Sequence, residues 1–302
     1  MRDRFISLPG LLLVCLSLLF LGSCAKEPEL GSEENPIVWA FVPSGEMQRV
    51  AAGARDVADM LHAKTGLYFD TIVATEYAGV IEALSADPPK AHMASMATFA
   101  YILAADRGAA RAALVALRFG SPTYNGQFIV RAGSGIRKVA DLKDKTFARP
   151  DPLSTSGWII PMLTMRAEGI KPESDLKQIV DVGSHEGVVA AVYNGEADAG
   201  ATYVDARTRL EKDLPDVMAK VRVVKITVDI PNDGVQLSPS LSQEKQDLIV
   251  EALLEIADTE KGKAALHKAY QWEALEKHDD SFYDPFRQIL QASGLGVAAL
   301  QE

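Results

Sequence analysis

Cysteine is scarce in this 302-residue chain: Cys15 and Cys24 stand near the N-terminus, and the rest of the sequence contains none. Disulfide bonds therefore cannot stabilise residues 25–302, which must rely on the burial of apolar side chains. Hydrophobic residues make up 48% of the sequence, which is enough for a substantial core. The five histidines, at positions 62, 92, 185, 267 and 278, form no His-x-x-x-His pair, so no metal site is expected.

Clustered basic residues are also missing. Lys and Arg number 31 against 41 Asp and Glu, and the formal net charge is -10. Because recognition of a nucleic-acid backbone needs clustered cations, no nucleic-acid partner is expected. If the chain binds an anion, local dipoles and hydrogen bonds must hold it against an unfavourable overall field. No Walker loop or dinucleotide-binding glycine pattern occurs, so the sequence predicts no cofactor.

Residues 1–23 have the organisation of a secretory signal. Arginines among the first residues precede an apolar run over residues 11–21, which is shorter than the roughly 20 apolar residues that span a bilayer. The run ends in Leu21-Gly22-Ser23-Cys24, which resembles the lipobox of bacterial lipoproteins. The resemblance implies cleavage before Cys24, lipidation of that cysteine and a membrane anchor on the extracytoplasmic face of the cell envelope. The alternative is an ordinary signal peptide in which Cys24 has no role.

The next segments predict a tether followed by an α/β lobe. Residues 24–36 are polar and rich in Pro, Gly and Glu, as is typical of a flexible linker. Residues 37–43 form a short β-favouring run, and apolar residues then recur every three or four positions over residues 46–65, which predicts an amphipathic helix. A second strand over residues 67–73 and a helix that begins at Tyr77 follow. This alternation favours a largely parallel sheet.

Two β-rich segments, residues 124–131 and 221–230, indicate crossings to and from a second lobe. Between them the pattern predicts a helix that begins near Ser156, strands over 177–182 and 197–202, and a helix over 186–194. After the second crossing it predicts helices over residues 243–259, 262–270 and 282–294. We therefore predict lobe 1 over residues 37–128, lobe 2 over residues 129–228, and a return to lobe 1 over residues 229–302. Hinged proteins of this kind bury a ligand in the cleft between their lobes.

Three consecutive hydroxyl residues, Ser154, Thr155 and Ser156, stand where a second-lobe helix is predicted to begin. Ser and Thr are preferred N-caps, and the free N–H groups of a helix N-terminus favour an anion. A phosphoryl group at this position could accept hydrogen bonds from the hydroxyls and the backbone without any lysine. One cap needs only one hydroxyl, so three favour a ligand; simple N-capping is the alternative.

A second strand-to-helix junction contains Ser184, His185 and Glu186. The His185 ring could donate an N–H to an oxyanion; alternatively, Ser184 caps the helix and His185 only packs. Asp205 follows the next predicted strand. A carboxylate suits an anion site if it accepts a hydrogen bond from a protonated ligand oxygen or pairs with a ligand ammonium.

These segments resemble the phosphate-, phosphite- and phosphonate-binding components of ABC transporters. The matching stretches run in the family's order over nearly all of the chain beyond the tether, at residues 76–78, 123–126, 134–136, 141–143, 151–157, 183–186 and 195–199. The specific part is the pair Ser-Thr-Ser-Gly and Ser-His-Glu. The resemblance implies a two-lobed type II periplasmic-binding-protein fold with two hinge crossings, a phosphorus oxyanion as ligand, and an ABC permease and ATPase as partners.

The resemblance also assigns residues to the ligand. Ser154, Thr155, Ser156 and His185 would hold the phosphoryl oxygens, and the other ligand-binding positions would be Tyr77, Tyr124, Asp205 and Asp233. Two carboxylates in the pocket would suit an amino-alkyl phosphonate, although Asp233 lies in a Pro-Asn-Asp-Gly turn, where Asp usually makes local hydrogen bonds.

Two other functions are compatible with parts of this pattern. A secreted hydrolase could combine Ser, His and Asp, but no Gly-x-Ser-x-Gly elbow surrounds Ser154 or Ser156, so an enzyme is not expected. A ligand-sensing subunit that presents its lobes to a membrane sensor would have the same sequence features as a transport component, and the sequence leaves that alternative open.

Overall fold

The computed structural model describes residues 27–294. The predicted signal segment, the predicted lipidation residue Cys24 and the first part of the predicted tether lie outside the described residues. Within residues 27–294, no helix combines the length and the apolar character that a membrane crossing requires.

The first lobe is built around a six-stranded mixed sheet. Its strands, numbered along the chain, stand in the spatial order β11 (Ala274–Lys277), β4 (Arg111–Leu117), β10 (Gly234–Leu237), β3 (Met93–Ser95), β1 (Ile37–Phe41) and β2 (Phe69–Val73). The predicted parallel pairing is confirmed for β1 with β2 and β3. β10 and β11, which belong to the returning part of the chain, pair antiparallel with their neighbours, so the sheet as a whole is mixed.

The second lobe contains a five-stranded sheet in the order β7 (Gln178–Asp181), β6 (Thr146–Arg149), β8 (Ala199–Tyr203), β5 (Thr123–Arg131) and β9 (Val221–Pro231). β6 pairs in parallel with both β7 and β8, whereas β5 is antiparallel to β8 and β9. Because β6, β7 and β8 are parallel, the segments that follow them meet at one edge of the sheet. These segments contain Asp151, Ser184 and Asp205, so the fold brings the predicted site residues of this lobe to one edge.

Helices cover both sheets. Those of eight residues or more are α1 (Met47–Thr65), α2 (Tyr77–Ser85), α3 (Thr98–Asp106), α4 (Ile160–Ala167), α6 (His185–Asn194), α8 (Gln243–Ala257), α9 (Glu260–Tyr270) and α10 (Asp284–Ala292). The shorter ones are α5 (Pro172–Asp175), α7 (Val217–Lys220), a π-helical turn (Thr155–Ile159) and 3₁₀ turns at Val139–Leu142, Ala206–Leu210 and Asp280–Tyr283. α1 buries Val50, Val57 and Leu61 as its periodicity predicts, and Gly66 ends it at φ 73°, a left-handed conformation that glycine adopts without strain.

Two short strands after the second crossing, β10 and β11, fall outside the predicted helices and were not predicted. β10 and β11 each have only four residues and no alternating pattern of their own. They become strands because β4 offers each of them a partner, and β3 offers β10 a second one. Tertiary pairing therefore overrides local propensity in both segments.

The two crossings are β5 and β9, which pair with each other and carry the chain into and out of the second lobe. The predicted lobe boundaries, between residues 128 and 129 and between residues 228 and 229, fall inside these strands. The division of the chain at those residues remains a proposal. The two-lobed α/β architecture itself is present, with one sheet in each lobe.

Candidate oxyanion-binding site

The Ser-Thr-Ser segment begins a helix at the carboxyl end of β6. Ser154 is the N-cap, and its Oγ accepts a hydrogen bond from the backbone N–H of Gly157 at 3.1 Å. The π-helical turn then runs directly into α4. The capping interpretation is therefore correct for Ser154, but it uses only an acceptor position of that hydroxyl. Ser154, Thr155 and Ser156 are each at most 2% exposed. One N-cap needs only one hydroxyl, so capping does not account for all three buried hydroxyls.

Gly157 allows this turn to form. A Cβ on Gly157 would lie 2.3 Å from Cδ of Pro150 and 2.8 Å from the Ser154 Oγ. The proline ring cannot rotate away, so a side chain at this position would displace the turn. The glycine of the motif is thus required by close packing against the end of β6.

His185 lies opposite Ser154. It is the first residue of α6, whose N-cap Ser184 accepts a hydrogen bond from the Gly187 N–H at 3.0 Å. The Nε2 atom of His185 is 3.4 Å from the Ser154 Oγ, and Nδ1 is buried without a hydrogen-bond partner in the described part of the chain. Burial, helped by the charge of Arg118, lowers the pKa of His185 to about 3. The ring is therefore neutral near pH 7, with one N–H to donate.

Tyr77 and Tyr124 join Ser154, Thr155, Ser156 and His185 in one cluster of hydrogen-bonding side chains. Tyr77 is fully buried at the beginning of α2, and its hydroxyl has no hydrogen-bond partner among residues 27–294. Burial and the nearby Asp151 carboxylate raise the pKa of Tyr77, so its hydroxyl stays protonated and can donate. Burial likewise raises the pKa of Tyr124, on β5, with Asp233 adding to the shift and the neighbouring Ser156 hydroxyl opposing it.

Hydrogen bonds between the lobes bring these groups together. Asp151 Oδ2 accepts from the Tyr77 N–H at 3.0 Å, and Thr155 Oγ1 accepts from the Phe99 N–H at 2.9 Å. On the other side of the cleft, the His185 N–H donates to the Ser44 carbonyl at 3.2 Å. In each case the start of a second-lobe helix, or the segment that leads into it, contacts the first lobe. The lobes are therefore closed on each other at the Ser-Thr-Ser and His185 segments.

An ion pair also spans the cleft. Arg49, on α1 of the first lobe, pairs with Glu186, which follows His185 on α6. Arg49 is held in place by hydrogen bonds to the Lys268 carbonyl at 2.7 Å and the Ala269 carbonyl at 3.0 Å. Both side chains are largely shielded, with 23% and 11% exposed, so the pair is screened less than a surface pair.

Asp233 and Asp205 both lie near Arg118. Asp233 pairs with Arg118, whose Nη2 is 3.4 Å from its Oδ1, and it accepts a hydrogen bond from Trp272 Nε1 at 3.3 Å. Burial raises the pKa of Asp233, and the Arg118 charge opposes that shift. Asp205 is partly exposed and has a left-handed backbone with φ 69°. It lines a pocket of about 420 Å³ together with Arg118, Tyr203, His267, Gln271 and Glu273.

Two residues of this region, Arg118 and Tyr203, were not predicted from the sequence. Arg118 lies with its guanidinium 5.5 Å from the ring centroid of Tyr124 and 5.2 Å from that of Tyr203. The Tyr203 ring is in turn 4.8 Å from the His185 ring. The sequence features that could have pointed to them were weak: Arg118 directly follows the apolar run of β4, and Tyr203 ends the strand before Asp205.

The geometry favours binding over catalysis. A hydrolytic Ser–His pair needs a histidine that takes up a proton, whereas His185 has a pKa near 3, and no carboxylate among residues 27–294 orients its Nδ1. Within the same residues, no group of three or more His, Cys, Asp and Glu side chains is placed to hold a metal ion. What the cluster offers is a set of neutral donors at a helix N-terminus, which suits an oxyanion.

The chain is similar to known binding proteins. It is 26% identical over 279 residues to the phosphonates-binding periplasmic protein of Escherichia coli strain K12, covering 90% of this chain and 81% of that protein. It is 29% identical over 203 residues to the phosphate-import protein PhnD of Mycolicibacterium smegmatis, covering 63% of each. A binding protein component of an ABC phosphonate transporter from Pseudomonas aeruginosa has a similar crystal structure, with a TM-score of 0.78, 23% identity, and coverage of 86% of this chain and 87% of that chain.

The structural likeness confirms the predicted type II periplasmic-binding-protein fold. A protein-family model for the periplasmic substrate-binding protein of phosphonate ABC transporters matches residues 39–283, which include both lobes and every residue of the cluster described above. Family members bind substrates for transport and are not enzymes, and their place is the periplasm or its extracytoplasmic equivalent. The chain therefore belongs to the family of periplasmic substrate-binding proteins of phosphonate ABC transporters.

Proposed function

We propose that this protein captures a phosphorus oxyanion in the cleft between its lobes and delivers it to an ABC permease and its ATPase. The oxyanion is held by the hydroxyls of Ser154, Thr155 and Ser156, by the His185 ring, and by Tyr77 and Tyr124 from the first lobe and the crossing. The observation that carries the proposal is the convergence of buried, neutral hydrogen-bond donors from both lobes, two of which (the Tyr77 hydroxyl and His185 Nδ1) have no partner among residues 27–294. Buried polar atoms are nearly always paired, so unpaired ones that converge on one cleft support a ligand there.

The donors suit the charge of the ligand. The first N–H groups of the helix that begins at Thr155 have no partner inside that helix and carry its positive dipole end. Thr155 Oγ1 accepts from the Phe99 N–H and keeps its own proton to donate. Neutral donors of this kind hold an oxyanion in a protein with a formal net charge of -10 without a lysine in the cluster.

Three ligand classes fit these donors: phosphonates, phosphite and phosphate. The E. coli relative is named for phosphonates and the M. smegmatis relative for phosphate import, so the comparisons support both classes. Among them we favour a phosphonate, since the family that matches both lobes is that of phosphonate transporters. Its carbon-bound group would extend from the oxyanion donors toward Tyr203 and Arg118.

A thermal-shift panel of methylphosphonate, phosphite, phosphate and 2-aminoethylphosphonate tests the proposal, with sulfate as the non-phosphorus comparison. A ligand that binds only the folded state at about 100 times its Kd adds roughly 2.7 kcal/mol of stability. We expect at least one phosphorus oxyanion to raise the Tm by several degrees. A panel in which none of them shifts the Tm contradicts the proposal, and so does any conversion of the ligand during incubation.

We further propose that Cys24 is lipidated and anchors the protein to a membrane. The proposal rests on Leu21-Gly22-Ser23-Cys24 at the end of the apolar run and on the polar segment after it. Fractionation of cells that express the full chain tests it: the wild type should be recovered with membranes and the C24S variant should not. Recovery of the wild type in the soluble extracytoplasmic fraction contradicts the anchor and leaves the ligand proposal untouched.

A further inference from the structure

Arg118 is a buried cation in the cleft region, and its hydrogen-bonding capacity is only partly used. It follows β4 directly, and its side chain is 11% exposed. Its Nη2 lies 3.4 Å and 3.5 Å from the two carboxylate oxygens of Asp233, which are long distances for a charge-assisted pair. Its Nε is buried without a hydrogen-bond partner in residues 27–294. A guanidinium has five N–H donors, so this one has donors left for a further acceptor.

Two aromatic rings connect Arg118 to the oxyanion donors. The guanidinium carbon lies 5.5 Å from the Tyr124 ring centroid and 5.2 Å from the Tyr203 ring centroid. The Tyr203 ring is 4.8 Å from that of His185, whose Nε2 is 3.4 Å from Ser154 Oγ. Arg118 is therefore one aromatic ring beyond the donors that hold the oxyanion. An arm that extends from the phosphoryl group past the Tyr203 ring would bring the far end of a phosphonate toward it.

Arg118 occupies the place beside Asp233 that a ligand ammonium would need. Asp233, whose side chain is 13% exposed, is already paired with Arg118 and accepts a hydrogen bond from Trp272 Nε1 at 3.3 Å. A ligand ammonium that approached Asp233 would have to displace the guanidinium or lie beside it, and like charges at short range repel strongly in a site with little water. Two further carboxylates, Asp205 and Glu273, line the pocket beside Arg118, and Glu273 accepts a hydrogen bond from the Gly120 N–H at 3.2 Å. Asp205 is partly exposed to water.

We propose that Arg118 determines which organic arm the cleft accepts: the ligand is a phosphonate whose arm ends in a hydrogen-bond acceptor, a carboxylate being the best match, and not in an ammonium. The inference rests on the proposed function, because it takes the Ser154–His185 cluster as the place of the phosphoryl group. Arg118 and a carboxylate match in charge and in planar geometry, and a bidentate pair would use the donors that Asp233 leaves free.

Calorimetric titration with three phosphonates that share a two-carbon spacer tests the inference. These are 3-phosphonopropionate, with a terminal carboxylate; propylphosphonate, with a neutral end; and 2-aminoethylphosphonate, with an ammonium. For the wild type we expect 3-phosphonopropionate to bind at least about tenfold tighter than propylphosphonate, as one buried charged hydrogen bond would give. We expect 2-aminoethylphosphonate to bind more weakly than propylphosphonate.

Two variants separate the charge from the packing. R118Q frees the Asp233 carboxylate, so it should lose the preference for 3-phosphonopropionate and bind 2-aminoethylphosphonate at least about tenfold tighter than the wild type does. The R118Q/D233N double variant replaces the ion pair by two neutral groups and leaves no buried charge without its partner, so it is the variant to use if R118Q alone is unstable. It should bind the three phosphonates with similar affinities.

R287Q is the matched control, because Arg287 pairs with Asp280 and Asp284 on α10 and its flanking turn, and its side chain is 19% exposed. It should keep the wild-type order of affinities. Tightest binding of 2-aminoethylphosphonate by the wild type overturns the inference, as does an unchanged order in both Arg118 variants. Methylphosphonate binding by the wild type is measured in parallel: if it is absent together with all other binding, the proposed function itself has failed.

Discussion

The Ser154 hydroxyl lies 3.4 Å from Nε2 of His185, although the residues come from different strand-to-helix junctions. The contact exists because β6 and β7 are parallel and neighbouring, so the segments that follow them emerge at the same edge of the sheet. Each segment begins a helix with a serine N-cap. Two helix N-termini, a hydroxyl run and a neutral imidazole thus meet where the first lobe closes over them.

Gly157 should tolerate no side chain. In G157A the new Cβ meets the Pro150 ring, and overpacking of this kind costs about 1–3 kcal/mol of unfolding free energy. We also expect weaker binding of methylphosphonate, since the Ser154–Ser156 turn must shift. Urea unfolding and calorimetry measure the two effects.

The matched control for that variant is G79A. Gly79 lies inside α2, and a Cβ there would have Ala74 Cβ at 3.6 Å as its nearest neighbour, an ordinary contact. Alanine is the better helix former, so G79A should leave stability unchanged or raise it by up to about 1 kcal/mol. Equal stability of G157A and G79A would show that Gly157 is not required by packing.

The ion pair between Arg49 and Glu186 should hold the lobes closed. E186Q keeps the shape of the side chain but replaces a charged hydrogen bond by a neutral one, a loss of about 1 kcal/mol, or roughly fivefold in Kd. Most of the change should appear as faster dissociation of methylphosphonate in stopped-flow measurements.

E168Q is the control for this effect. Glu168 pairs with Lys225, and both residues belong to the second lobe, so the same substitution there removes an ion pair without affecting closure. The dissociation rate of E168Q should equal that of the wild type. Equal rates for E186Q and E168Q would mean that the pair across the cleft has no part in retaining the ligand.

His185 should make stability fall in mild acid. In the unfolded chain a histidine has a pKa near 6.5, whereas in the folded protein burial lowers the pKa of His185 to about 3. Between these values the unfolded state binds a proton that the folded state excludes, so stability is lost as the pH falls below about 6.5. At pH 5 the loss from this residue is about 2 kcal/mol relative to neutral pH.

The H185Q variant isolates this contribution. Urea unfolding of the ligand-free protein at pH 7.5 and pH 5.0 should show that the wild type loses about 2 kcal/mol more than H185Q over that interval. The comparison cancels the contributions of the buried carboxylates, which both proteins share. Parallel losses in the two proteins would show that His185 is protonated as easily when folded as when unfolded.

The sequence predicted the parts of the fold that depend on local pattern. α1 and α6 appear within a residue or two of their predicted limits, because caps and apolar periodicity mark them. β10 and β11 were missed because four residues carry too little pattern and become strands only through pairing with β4. The pairing of two distant segments cannot be predicted from the sequence of either segment alone.

The same distinction applies to the site. Ser154 and His185 stand in motifs that combine cap residues with unusual hydroxyl or imidazole neighbours, so the sequence marks them. Arg118 lies in no motif, and its role depends on its contacts with Tyr124, Tyr203 and Asp233, the last two of which are distant in the chain. The role predicted for Asp233, a partner for a ligand ammonium, could not be weighed against Arg118 before the fold placed the two together.

Calorimetric titration of methylphosphonate into the wild type and the S154A/S156A variant tests the central claim most directly. Each lost hydrogen bond to the charged ligand costs roughly 1.5–3 kcal/mol, so the double variant should bind about 100- to 10,000-fold more weakly. S242A, which removes the N-cap of α8 outside the proposed site, controls for the lost capping and should keep the wild-type affinity. A folded S154A/S156A variant that binds methylphosphonate as tightly as the wild type would contradict the assignment of this cluster as the oxyanion site.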